Sequence, residues 1–362
     1  MSVQVSQKKQ VIFGIIAITI LLLVIEAIAN IWWLTQINCE FEQNEIFQNF
    51  DEVEKKQLCL DFYNLKTSGD EIIPNQTTDS ITINSLGFRG AEFSSIKPSD
   101  MYRILMVGGS TMFGAGATSD ETTIPGYLQQ LLNEKDFGFD IEVINSGIQG
   151  ADSNTESKLI EQKLVRFSPD LIIIYDGVND LKGDFPVVQT KHNWKRMCIL
   201  GEIHDFDVII TLQPITGFGN KILTQQETVN SFTGEDHNGF QLITAKSTYD
   251  YIGRELLSLQ DDCNVIDLRG IFDDISGPIY WDQGHVSDTG NLILAEKFHE
   301  IANEIIFNKK SNEDKFQKII SKYNSPIIAS YLLSKIGIDV DYTQIEKQDL
   351  TTDNNGMEIS FI

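Results

Sequence analysis

Five stretches of strand length constrain this chain more than anything else in it. "LIIIY", Leu171 to Tyr175, is apolar at every position, and the runs at Tyr102–Val107, Ile141–Asn145, Asp207–Leu212 and Asn264–Leu268 are strongly apolar. A strand with one face in water alternates apolar and polar residues, so a strand without a polar face must be covered on both sides. Between or after these runs come segments of helical periodicity: "TIPGYLQQLLNEK", "TESKLIEQKLVRF", "STYDYIGRELLSLQ" and "TGNLILAEKFHEIANEIIF". The alternation predicts a doubly wound α/β domain with a mainly parallel five-stranded sheet over residues 101–309. Residues 181–206 and 214–246 exceed what an α/β loop needs and are read as walling a site.

The N-terminus obeys different physics. Val11–Leu34 is 24 residues long with one charge, Glu26. As a helix it would span ~36 Å, enough for a hydrocarbon core of ~30 Å. Lys8 and Lys9 precede it, and no Lys or Arg follows before Lys55. The positive-inside rule therefore predicts a cytoplasmic N-terminus (1–10), a transmembrane helix (11–34) and an exported remainder, with Trp32 and Trp33 at the outer interface. A cleaved secretory signal is the competing reading, since Ala27-Ile28-Ala29 resembles a cleavage site. Both readings export the domain. Residues 35–100 are then an extracytoplasmic stalk and lead-in, containing one helix around "NEIFQNFDEVEKKQLCLDFYNL", and 310–362 form a C-terminal extension with an amphipathic stretch, "PIIASYLLSKIGI".

Export gives the four cysteines a role, because disulfides persist outside the cytoplasm. The favoured pairing is Cys39 with Cys59 and Cys198 with Cys263; no Cys/His spacing suggests zinc. The charge balance excludes one class of partner. With 52 Asp and Glu against 28 Lys and Arg, the net charge of −24 repels nucleic acid, and no basic patch offsets it.

The candidate chemistry centres on "ILMVGGSTMFGAG", residues 104–116. From Gly109 it matches a phosphate-binding loop until Ala115, which stands where the lysine belongs. The glycine spacings of a dinucleotide turn and of an α/β-hydrolase elbow are also absent. What remains is a serine, Ser110, directly after the first strand. In an open parallel sheet, residues following each strand converge at the carboxyl edge. Applied here, that rule brings together Ser110, Gly147 of "NSGIQG", Asn179 of "DGVND", and Asp282 and His285 of "YWDQGH". A hydroxyl, a backbone N–H, an amide, an imidazole and a carboxylate are the parts of acyl transfer.

The order of these blocks resembles the SGNH hydrolases of the GDSL esterase and lipase superfamily over about residues 84–306. The resemblance implies a flavodoxin-like fold and maps the name-giving residues onto Ser110, Gly147, Asn179 and His285. It departs from the family at Gly109, where aspartate is common. It further implies that Ser110 attacks an ester carbonyl, that His285, held by Asp282, accepts the proton, and that N–H groups of Ser110 and Gly147 and the Asn179 amide meet the oxyanion. Imidazole suits the role because it titrates near neutrality.

Asp180 reads as a structural partner in its turn, and His192, His204, His237 and His299 have no comparable setting. Gln213, ending the fourth strand, and Arg89 of "NSLGFRG" are candidate substrate contacts, with a structural ion pair the favoured reading for Arg89. No cofactor or metal is expected. The expected partners are an ester substrate, for which acetylated surface glycans are one class, and the membrane. A glycan O-acyltransferase using the same acyl-enzyme and a non-catalytic envelope-binding module remain open.

Overall fold

A computed structural model describes residues 6–36, 44–68, 71–235 and 239–323. By internal contacts the chain divides into two compact units, 1–296 and 297–362. The amphipathic stretch expected beyond residue 310, Cys39 and His237 lie outside the described residues or their described side chains.

The five apolar runs form one parallel sheet. Its strands are β1 (Met101–Gly108), β2 (Asp140–Asn145), β3 (Leu171–Asp176), β4 (Asp207–Leu212) and β5 (Asn264–Asp267), in the order β2-β1-β3-β4-β5. The chain steps from β1 outward to β2, then returns past β1 to β3, so the topological switch point lies at the end of β1. This is the α/β, doubly wound, mainly parallel sheet predicted from the sequence, in the flavodoxin-like arrangement that the resemblance implied. Leu171–Asp176 is buried at all positions, as a strand covered on both faces must be.

The helices are α1 (Gln7–Gln36), α2 (Glu52–Tyr63), α3 (Ser110–Phe113), α4 (Ile124–Asn133), α5 (Ser153–Leu159), α6 (Pro186–His204), α7 (Gln225–Thr233), α8 (Lys246–Leu257) and α9 (Asp288–Tyr323). One core cluster joins Leu105, Val107, Ile172, Ile174, Ile210 and Leu212 of the sheet to Ile160, Leu164, Trp194, Met197, Ile252 and Leu256. The alternate residues Ile104, Met106, Ile173 and Ile209 are equally buried, so both faces are closed.

The two segments longer than an α/β loop each contain a helix that the sequence reading did not name. Residues 181–206 contain the 19-residue helix α6, and 214–246 contain α7. A parallel pair such as β3 and β4 needs a crossover, and a helix supplies it. The buried stripe of α6 runs through Thr190, Asn193, Trp194, Met197, Cys198 and Gly201, and its polar and glycine members hide the apolar period. For α7 a signal was present: Thr224 and Glu227 form a capping box. The periodic segment 153–167 also departs from one α-helix, passing through a π turn at Ile160–Leu164 and a 3₁₀ turn at Val165–Phe167.

The lead-in is built into the domain rather than suspended from it. Asn44 Nδ2 donates to Trp281 O over 2.5 Å, Glu45 N donates to Gln226 Oε1 over 3.1 Å, and Arg89 forms bridges with both Ile83 and Asn145. Cys198, on α6, is bonded to Cys263, just before β5. Cys59 is also disulfide-bonded. Helix α1 is exposed along its described length, and Gln7–Ala29 has a mean hydropathy of 3.0, which suits a membrane anchor or a signal sequence.

Trp194 of α6 is fully buried in the main core cluster, and its Nε1 donates to Asp176 Oδ2 at the end of β3 over 2.9 Å. Trp194→Ala is expected to cost about 3–5 kcal/mol of stability, read as a lowered midpoint in chemical denaturation.

Candidate active site

The turn after β1 is shaped by close backbone packing. A Cβ at Gly108 would stand 2.6 Å from Tyr175 O and 2.7 Å from Met112 Cβ, so only glycine lets β1 pass into α3 beside β3. Ser110 opens α3, and its N–H has no partner among the described residues, as expected at the start of a helix. At the other end of α3, Arg89 Nη1 donates to Phe113 O at 3.1 Å and to Gly114 O at 2.8 Å, and Asn145 Nδ2 donates to Phe113 O at 3.1 Å. These donors hold the carbonyls of the short helix that carries the serine.

Ser110 Oγ lies 2.6 Å from His285 Nε2, across 175 residues of sequence. His285 Nδ1 lies 2.6 Å from Asp282 Oδ2. The other carboxylate oxygen, Asp282 Oδ1, accepts the N–H groups of Gly284 at 2.8 Å and His285 at 2.7 Å. Burial alone would raise the Asp282 pKa, but the nearby His285 charge and these hydrogen bonds together hold it below the usual carboxylate range. Asp282 is therefore an anion and fixed acceptor at neutral pH. With Nδ1–H given to Asp282, the imidazole presents Nε2 as the acceptor for the serine proton.

Asn179 follows β3 and donates Nδ2 to Ala151 O at 2.8 Å. A side-chain amide has two N–H bonds, so this contact orients the group and leaves one free. A Cβ at Gly109 would stand 2.7 Å from the same Nδ2. The glycine that replaces the familiar aspartate thus lets the Asn179 amide approach the Ser110 turn.

Gly147 does not take the expected position. Its N–H donates to Asn145 Oδ1 at 3.0 Å, and an added Cβ would stand 2.2 Å from Phe113 N, so it packs under α3 with its donor already engaged. Gly150 is different: it is exposed, an added Cβ would meet nothing within 4 Å, and its N–H has no partner among the described residues. It immediately precedes Ala151, the residue that orients Asn179. A sequence signal separated the two glycines: an asparagine two residues before a glycine readily forms an Asx turn and consumes that N–H.

The two candidate substrate contacts face inward. Arg89 pairs with Asp120 at 2.7 Å and also donates to Ser80 O and Ser119 O, so its buried guanidinium is occupied by the protein, as the ion-pair reading required. Gln213 is buried and donates Nε2 to Thr111 Oγ1 at 2.9 Å and to Gly284 O at 3.1 Å. It links the residue after Ser110 to the residue before His285. Among the other histidines, His299 pairs with Asn303 across one helical turn.

Sequence reasoning missed Trp281. Its ring stacks on His285 with centroids 4.8 Å apart and planes 15° apart, an arrangement that steadies the imidazole. Phe47 of the lead-in packs against the Trp281 ring at 6.5 Å. The signal available was only that Trp281 lies in the same block as His285; its partner is remote in sequence.

A model of the GDSL-like lipase/acylhydrolase family matches residues 106–293. An acetylxylan esterase from Geobacillus stearothermophilus is 24% identical over 199 residues, covering 52% of this chain and 83% of the relative. Among solved structures, an acetyl xylan esterase aligns with a TM-score of 0.42 and 18% identity over 55% of this chain and 98% of its own. A two-domain esterase active on acetylated mannans aligns with a TM-score of 0.40 and 16% identity, covering 58% of this chain and 50% of its own.

Gln213→Leu, which keeps volume but removes both donated bonds, is expected to lower kcat about tenfold with little change in KM, the effect of ~1.4 kcal/mol at the transition state. Steady-state kinetics on an aryl acetate check this.

Proposed function

We propose that this chain, which belongs to the GDSL-like lipase/acylhydrolase family and is an SGNH-type serine ester hydrolase, is a membrane-anchored carbohydrate O-acetylesterase. The observation that carries the residue assignment is the unbroken Ser110–His285–Asp282 relay, with both contacts at 2.6 Å. Ser110 Oγ attacks the acetyl carbonyl while its proton passes to His285 Nε2. Asp282 fixes the tautomer and stabilises the imidazolium. The alcohol leaves with the proton from His285, and water activated by the same imidazole releases acetate.

The oxyanion is met by the N–H groups of Ser110 and Gly150 and by the free N–H of Asn179 Nδ2. Gly150 replaces Gly147 in this role, because a donor committed to Asn145 is not available to substrate. Support for a carbohydrate substrate comes from the acetylxylan esterase relative. Support for the anchor comes from the apolar helix with Lys8 and Lys9 on one side and Trp32 and Trp33 on the other. Disulfide-bonded Cys59, Cys198 and Cys263 suit an exported domain.

Ser110→Ala and His285→Ala are expected to abolish release of acetate from acetylated xylan and from an aryl acetate; wild-type turnover by either would overturn the assignment. Asn179→Ala is expected to lower kcat by ~10²–10³ with KM little changed, the effect of one lost oxyanion donor. For topology, protease added to intact cells is expected to remove the domain, and full protection would reverse the orientation.

A further inference from the structure

Three carboxyl groups lie buried behind Asn179, and the acyl-transfer chemistry uses none of them. Glu156 of α5 has a relative exposure of 0%, Asp176 at the end of β3 has 3%, and Asp180 in the following turn has 6%. No Lys, Arg or His forms an ion pair with any of them among the described residues. A buried carboxylate without a counter-charge is costly unless N–H or O–H donors surround it.

The three differ sharply in what they receive. Asp180 accepts Ser153 N at 3.1 Å, Ser153 Oγ at 2.5 Å and Thr190 Oγ1 at 2.8 Å. Asp176 accepts Trp194 Nε1 at 2.9 Å and the Gly177 N–H. Glu156 receives nothing on either oxygen. Asp176 is the strongest like charge acting on Glu156, and Asp180 the strongest acting on Asp176, so the three carboxyl groups form one cluster. Two carboxyl groups can share a hydrogen bond only when one carries a proton.

Among the described residues, no cation acts strongly on any of the three. From α5 the nearby titratable group is Asp152; from α8 it is Tyr249, whose hydroxyl donates to Gln213 O at 2.6 Å. On α6, Lys191, Lys195 and Arg196 are paired with Glu255, Asp262 and Glu161. Arg269, beside Tyr249, is held by Asp267 and Asp250.

Asp180 also has a distinctive position. It is adjacent to Asn179, and it grips Ser153, two residues beyond the Ala151 carbonyl that orients the Asn179 amide. It therefore clamps together the two loops that carry Asn179 and Gly150.

We propose that Glu156 and Asp176 are neutral acids at physiological pH, donating in series to an Asp180 anion, and that this relay positions the Asn179 amide and sets the alkaline limit of turnover. The inference rests on Asn179 being an oxyanion donor. Burial first, then the neighbouring carboxylates, raises the pKa of Glu156 and of Asp176 well above the usual range; burial raises that of Asp180 too, but the hydrogen bonds from Ser153 and Thr190 oppose the rise. The sign follows. The stability linked to these protons is fully present below the unfolded carboxylate pKa of about 4 and is lost as pH rises through the raised folded values. On losing a proton, like charges behind Asn179 repel, and the Asp180 clamp loosens. Glu156 is a positioning residue; it does not touch substrate.

Two measurements on the full chain test this. The first is infrared spectroscopy at neutral pH, where wild type is expected to show the C=O stretch of a protonated carboxylic acid that Glu156→Gln diminishes. Absence of that band in wild type overturns the proposal however the variants fold. The second is the pH profile of kcat on an aryl acetate. Glu156→Gln is a permanent donor to Asp176 and is expected to move the alkaline limb upward by about one pH unit, leaving KM unchanged, a shift equal to tenfold in proton release. Superimposable profiles overturn the relay. If Ser110→Ala is inactive while those profiles coincide, only the relay fails; an active Ser110→Ala removes the catalytic reading beneath it.

Discussion

The backbone contact between the first strand's turn and its neighbours is the constraint on which the site depends. Gly108 lies against the Tyr175 carbonyl, and Gly147 lies under the Phe113 peptide, so α3 is wedged between the loop after β2 and the end of β3. Neither contact admits a Cβ. Because the wedge sits at the topological switch point, the loops on either side diverge and leave room above Ser110 for a ligand. A looser turn would let the Ser110 hydroxyl wander from His285, a contact that no local sequence interaction enforces.

Around that wedge, polar groups do the bracing that an apolar core cannot. Arg89 and Asn145 hold the carbonyl end of α3, and Gln213 joins Thr111 to the His285 loop. Glu227, fully buried, accepts from Lys221 Nζ, Thr224 N, Ile279 N and Tyr280 N, tying α7 to the strand-like segment that leads into Trp281. Such fully donated carboxylates are directional, so they fix loops that would otherwise slide. Glu156 is the contrasting case, buried equally deeply but with no donor, which is why it points to a held proton.

Much of this was legible from local pattern. The five strands were marked by apolar runs that cannot tolerate water on either face, and their boundaries agree with the sheet to within a residue or two. Ser110 and Asn179 could be placed because each closely follows a strand whose end could be read, whereas Asp282 and His285 lie well beyond Asp267, in the segment that leads into α9. Helix α6 was missed because Thr190, Asn193 and Gly201 interrupt its buried stripe, and their suitability appears only once Asp180, Ser153 and β4 lie against them. Gly147 was chosen over Gly150 because both follow β2; which N–H is free depends on the Asx turn at Asn145 and on the position of Phe113.

By itself, the sequence determined the alternation of buried strands and helices, the apolar N-terminal helix, the acidic character and the kinds of side chain gathered at one sheet edge, since these follow from periodicity and residue chemistry within short windows. Tertiary structure alone decided which groups are donors, which are consumed and which are buried without a counter-charge. Hydrogen-bond commitment depends on partners up to 237 residues apart. Burial without a counter-charge, as at Glu156, exists only after distant elements have closed around it.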